Sequence, residues 1–334
     1  AGLSQRPVRR RQGAAILILL PLSSVLSPAA GAGQDLTGLV ASCGASSGSL
    51  LAWCHQAALA LEVARGGVAT AASLGSEVPG TAGTVGFRLR SSPRFSLAGR
   101  LGLTRFSMVD VPRGYSLSPG DDGAYLPSLH LSGNLGMLNG FSPIPTVGGV
   151  LALDLNASMH RLVIQDVQGF QDGAWGWGLG ARVGIIRESF TLPGVSFSVV
   201  RRWTGSTSFG EMAGGGPFEG EFDLELTSVR GLIGKDILGV GLMAGGGWDR
   251  LSGDGDIRAR VSPTGPESMA GTSDLTSKRL TFFGGGSVTY LILQLSVELG
   301  WSRALDPELP LVPDGANFPS NRAYFGSLGA RVTF

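Results

Sequence analysis

His130-Leu131-Ser132 sets an imidazole and a hydroxyl two residues apart, a spacing that puts both on one face of an extended strand. A histidine so placed can take the serine proton and make the oxygen a nucleophile. The flanking residues restrict that chemistry, because Leu129, Leu131, Leu135 and Met137 claim the opposite, apolar face and turn His130 and Ser132 away from it. A denser group is Glu221, Asp223 and Glu225, three carboxylates on one strand face that repel unless cations oppose them. Further charges fall singly on faces that lack leucine: Arg94, Arg100, Asp154, His160, Arg182, Arg202, Arg279, Glu298 and Arg331. Asp154 to Asn156 has no metal-ligand spacing, and no phosphate loop stands at a strand–helix junction. Neither a metal nor a cofactor is expected. Cys43 and Cys54 have only His55 nearby as a further ligand, too few for zinc, and in an oxidising compartment they predict a disulfide. Val40-Ala41-Ser42-Cys43 loosely fits a lipidation site, but it lies beyond polar residues Gln34, Asp35 and Thr37 and would leave Cys54 unpaired.

The segments that carry these residues alternate at period two, the mark of strands with one apolar face. Phe95, Leu97, Leu101 and Leu103 do so, as do Leu151 to Met159, Trp175 to Ile185, Leu291 to Trp301 and Tyr324 to Phe334. Less regular strands are expected at Val195–Ser206, Glu221–Ile233, Leu238–Trp248 and Leu280–Tyr290, with changes of phase near Val200-Arg201 and Ser228-Val229. Most run roughly 9–15 residues, longer than the ~5–6 of soluble sheets and as long as a tilted membrane crossing needs. Trp175, Trp177, Trp203, Trp248, Trp301, Tyr290 and Tyr324 cluster at strand ends, as interfacial girdles do.

Composition agrees. The chain has 26 basic and 25 acidic residues, a balance that excludes a nucleic-acid surface. Its 54 glycines in 334 residues are more than twice the usual ~7%, which disfavours long helices. Residues 1–32 read as a signal peptide: Arg6, Arg9, Arg10 and Arg11, an apolar stretch from Ala14 to Leu26, then small residues at Ala30-Gly31-Ala32. Residues 33–65 read as a periplasmic or plug segment with one short helix, Leu50 to Ala64, ended by Gly66-Gly67. Residues 66–334 then form the barrel.

Joins between strands alternate short (Ser91-Ser92-Pro93, Asn139–Thr146, Glu188–Pro193, Gly234-Lys235-Asp236, Tyr290) and long (Met108–Ala124, Gln165–Gly173, Phe209–Gly220, Leu251–Ser277, Ala304–Asn321). Counting back from a last strand that ends in the periplasm, with Thr84–Arg90 and Gly66–Leu74 included, gives about 12 strands. The expected fold is all-β, an antiparallel up-and-down transmembrane barrel closed by Gly66–Leu74 against the last strand.

The closing segment, Ala323 to Phe334, resembles the final strand of bacterial outer membrane β-barrels, in which the terminal aromatic belongs to the signal read by the insertion machinery. The resemblance implies the outer membrane of a Gram-negative cell, with its lipids and insertion machinery as partners and Phe334 as the signal. The helix followed by Ala64-Arg65-Gly66-Gly67-Val68-Ala69 resembles the N-terminal entry of FadL-type channels for hydrophobic compounds, though the Asn-Pro-Ala element of that family is missing. His130-Leu131-Ser132 is similar to the His-x-Ser pair of outer membrane phospholipases, which face lipid; here the pair faces inward and Gly133 breaks the family's order. The expected function is therefore a porin-like channel passing small solutes through a narrow, charge-lined lumen, not an enzyme. The alternatives are a non-conducting structural or assembly barrel, or uptake of hydrophobic compounds, with a lipid-acting outer membrane hydrolase ranked below them.

Overall fold

The computed structural model describes residues 32–44, 48–86, 93–107, 123–142, 148–163, 170, 173–210, 218–260, 268–305 and 322–334. The expected signal peptide, residues 1–32, lies outside them but for Ala32, which opens the first helix. Two helices, α1 (Ala32–Ser42) and α2 (Gly48–Ser73), precede ten strands. These are β1 (Phe95–Ser107), β2 (Gly123–Leu138), β3 (Ala152–Leu162), β4 (Trp175–Ile186), β5 (Gly194–Gly210), β6 (Phe218–Ile237), β7 (Val240–Arg260), β8 (Ser268–Tyr290), β9 (Leu293–Ala304) and β10 (Arg322–Thr333). Each strand pairs antiparallel with its sequence neighbours, and β10 returns to β1 to close the barrel.

The strand count is thus ten, not twelve, and β10 closes against Phe95–Ser107. Gly66–Leu74, expected as the first strand, is the last part of α2 and its C-cap, and Thr84–Gly86 lies outside the ladder. The reason is local. Ala69, Ala71 and Ala72 are strong helix formers, and Gly66-Gly67 does not stop the helix but thins it. A Cβ on Gly67 would lie 2.5 Å from the Phe106 ring, so glycine lets α2 pass close to β1. The helix stops instead at Leu74, whose φ of 50° marks a left-handed cap.

Outward positions from Phe95 to Leu103, Leu129 to Met137, and Leu293 to Trp301 are exposed apolar side chains, one band around the barrel. On β1 that band ends at Arg105, a rise of about ten residues, as a tilted crossing requires. No described helix is long and apolar enough to cross a membrane. Tight turns at Leu238-Gly239 and Leu291-Ile292 mark the periplasmic end, and the long connections lie at the external end. β6, β7 and β8, at 20, 21 and 23 residues, rise well above the others, which run 11 to 17. Most of Leu251–Ser277, expected as a loop, is therefore strand, and the join expected at Gly234-Lys235-Asp236 falls at Leu238-Gly239.

Candidate functional site: a plugged lumen

The N-terminal chain fills the barrel. α2 enters at the external end, where Leu61 lies beside Gly255 and Leu275, and descends past Gly66 at Arg279 and Thr70 at Ser302. At 26 residues it is about 39 Å long, enough to reach from above the membrane to its middle. Residues 74–86 continue downward as an irregular segment that turns at Pro79-Gly80, and at the lower rim Gly86 accepts a hydrogen bond from the Arg94 N–H at 3.2 Å. The chain thus threads the lumen from outside to periplasm before it enters β1.

The lumen has two storeys. In the upper one Leu39, Leu61, Phe106, Phe170, Phe209, Phe218, Phe222 and Leu226 pack into one apolar core around the helices, with the Phe170 and Phe209 rings 5.7 Å apart. The lower storey is polar. There the barrel wall grips residues 76–86 by backbone and side chain. Glu298 accepts from the Ser76 N–H at 3.0 Å and from its hydroxyl, and Arg100 donates to the Ser76 carbonyl at 2.7 Å. Arg202 pairs with Glu77. Ser287 and Gln294 donate to the Gly80 carbonyl at 2.9 and 3.1 Å, and Ser196 to that of Ala82 at 2.6 Å. Arg182 reaches the carbonyls of Thr81 (3.3 Å) and Gly83 (3.1 Å), and Asp154 accepts from the Val85 N–H at 2.6 Å. An irregular segment with no ladder of its own must find partners for its buried N–H and C=O groups, and these wall residues supply them.

Of the expected lumen residues, Arg100, His130, Asp154, His160, Arg182, Arg202, Arg279, Glu298 and Arg331 do face inward. His130 and His160 stack with ring centroids 5.6 Å apart. The His130 Nε2 contacts the Ala71 carbonyl at 3.0 Å and the Ser128 hydroxyl at 3.1 Å, and its partner hydroxyl is Ser128, not Ser132. His130 thus supports the helix end.

Arg94 is exposed at the lower rim, outside the lumen. Glu221, Asp223 and Glu225 point outward, whereas Phe222, Leu224 and Leu226 point in. The expected phase change in β6 does not occur; polarity inverts instead. Above the membrane the exterior is water and the interior is the apolar core, so the acidic face turns out. The irregularity of β5 lies between Thr204 and Thr207, not at Val200-Arg201. Sequence reasoning missed Glu77, and also Arg230 and Asp249, which pair at 2.8 Å in the wall. The run Gly75-Ser76-Glu77-Val78-Pro79-Gly80 was the available signal, because Pro79 cannot donate to a ladder. Among the described residues no group of His, Cys, Asp and Glu is arranged to hold a metal.

The class this geometry defines is a transmembrane β-barrel of the outer-membrane type: closed, antiparallel, apolar outside and turned tightly at one end. Solved structures with related folds are outer-membrane barrels. They include the translocator domain of autotransporter NalP from Neisseria meningitidis (13% identity, 73% of this chain and 89% of that one, TM-score 0.41). The outer membrane protease OmpT from Escherichia coli is another (9%, 72% and 96%, 0.37), as is Ail, the attachment invasion locus protein of Yersinia pestis (10%, 73% and 100%, 0.32). No family model and no curated protein matches the sequence. Their roles differ from one another, and at this distance the likeness concerns the barrel alone.

Proposed function

We propose that this protein is a closed, non-conducting outer-membrane barrel that carries its own N-terminal chain through the lumen and holds the α1–α2 pair at the cell surface. The observation that carries this reading is the grip of the lower wall on residues 76–86, where side chains of β1, β3, β4, β5, β8 and β9 each bond the plug. A passive solute pore would need this packing removed, because the plug occupies the space a solute would cross. On this reading residues 1–32 are the cleaved export signal, His130 is a structural group, and no reaction is catalysed.

Two measurements test it. In planar bilayers the intact protein is expected to be silent; steady conductance would restore the small-solute channel, and flux of apolar compounds without conductance would favour uptake of the FadL type. A cysteine placed at exposed Ala41, in a chain with Cys43→Ser and Cys54→Ser, is expected to react with an impermeant maleimide on whole cells. Labelling only after the outer membrane is permeabilised would overturn the threading direction.

A further inference from the structure

The outer face of β7–β10 carries four cations in two cross-strand pairs offset by two residues in register. Arg250 lies directly opposite Lys278, and Arg303 directly opposite Arg322. The two pairs adjoin, because the Lys278 carbonyl accepts the N–H of Leu305, two residues beyond Arg303. All four stand at outward positions; Arg303 and Arg322 are exposed, Arg250 and Lys278 half-buried. Like charges facing each other across a ladder destabilise it, and here two such pairs lie side by side.

Several other surface cations among the described residues are matched. Arg201 pairs with Glu225, and Arg105 and Arg161 lie over the rings of Tyr125 and Trp175 at 5.7 and 5.1 Å. At the periplasmic end Lys235 donates to the carbonyls of Phe190 (2.7 Å) and Leu192 (3.2 Å), and Arg187 to that of Asn139 (2.8 Å). Among the described residues, none supplies a side-chain hydrogen bond, ion pair or ring contact to Arg250, Lys278, Arg303 or Arg322. Their depth is marked by Trp301 and Tyr324, which face each other one outward step below Arg303 and Arg322. Rings of that kind sit at the level of lipid headgroups.

We propose that this face binds the phosphorylated headgroup of an outer-leaflet lipid, with the four cations as phosphate ligands. Guanidinium groups fit phosphate oxygens two at a time, and a dianion between paired cations turns their repulsion into attraction. Four adjacent strands span roughly 15 Å, which suits a headgroup with more than one phosphate. A zwitterionic headgroup brings its own ammonium group into the row and fits poorly.

The test uses the whole protein in non-ionic detergent, mixed with a bis-phosphorylated glucosamine lipid or with its dephosphorylated form, and reads the lipid retained by native mass spectrometry. The wild type is expected to retain the phosphorylated lipid at least tenfold better than the dephosphorylated one. The combined variant Arg250→Gln, Lys278→Gln, Arg303→Gln and Arg322→Gln is expected to lose that preference, whereas Arg94→Gln at the other rim keeps it. If the combined variant does not fold, the two double variants (Arg250→Gln with Lys278→Gln, and Arg303→Gln with Arg322→Gln) are read in its place. Equal retention of the two lipids by the wild type, or undiminished preference in the substituted proteins, overturns the proposal.

Discussion

Glu298 on β9 and Ser76 in the plug are joined twice inside the lumen, through the serine N–H at 3.0 Å and through its hydroxyl, with Arg100 closing the group at 3.5 Å from the same carboxylate. The plug is therefore bonded to both members of one buried charge pair of the wall. Replacing Glu298 by Ala would leave Arg100 buried without its counter-ion, an effect of about 3–5 kcal/mol for such pairs. Glu298→Ala is expected to lower the urea midpoint of the detergent-folded barrel by that order and to open the plug to protease. Glu298→Gln, which still accepts from Ser76, should fall between. An unchanged midpoint in the alanine variant would remove the pair from the account of how the plug is held.

Cys43 and Cys54 are hydrogen-bonded thiols at the join of α1 and α2; the bond lowers the Cys43 pKa and raises that of Cys54. Cys43 is thus the thiol that ionises first and attacks when an oxidant is present. Protein exported through an oxidising compartment is expected to show no free thiols by thiol titration, and reduction is expected to cost about 2–4 kcal/mol in the stability of the helix pair. A count of two free thiols after oxidation would contradict the disulfide.

Leu238 and Gly239 form the two-residue turn between β6 and β7, with φ of 55° and 84°. That left-handed pair suits Asn-Gly, and leucine is strained in it by about 1 kcal/mol. Leu238→Asn is therefore expected to raise the barrel's unfolding midpoint, measured by heat-dependent mobility on gels. A lower midpoint would mean that the wholly exposed leucine gains more from the lipid surface than it loses in the turn.

Phe334 pairs with Phe95 at the seam, its N–H donating to the Phe95 carbonyl at 2.8 Å and its carbonyl accepting at 3.4 Å. If the terminal aromatic is also the insertion signal, deleting it should reduce the folded barrel recovered from cells several-fold, while refolding in detergent changes little. Equal loss in both settings would assign Phe334 to the seam alone.

The membrane-embedded strands were legible because hydrocarbon reads their outer face: Trp175–Ile185 and Leu291–Trp301 match β4 and β9 within a few residues. The same rule failed above the membrane, where Phe222 and Leu224 are the inner face and the carboxylates the outer one. A strand that crosses from lipid into water exchanges the meaning of its two faces without changing its register. The plug was illegible for a different reason. Its glycines at 66 and 67 look like a helix stop, and only the approach of Arg279 and Phe106 shows why side chains are absent there. Wall residues such as Arg182 and Gln294 were chosen for neighbours 101 and 214 positions away, and no local pattern records that.

With β1 and β10 zipped, the N-terminal chain is a thread through a closed ring. A hinged plug can swing clear as a lid does. A thread cannot; it leaves only by sliding its whole length, α1 included, down through the narrow lower storey. Any opening of this barrel must therefore break every wall contact along the path, or break the ring itself at its seam.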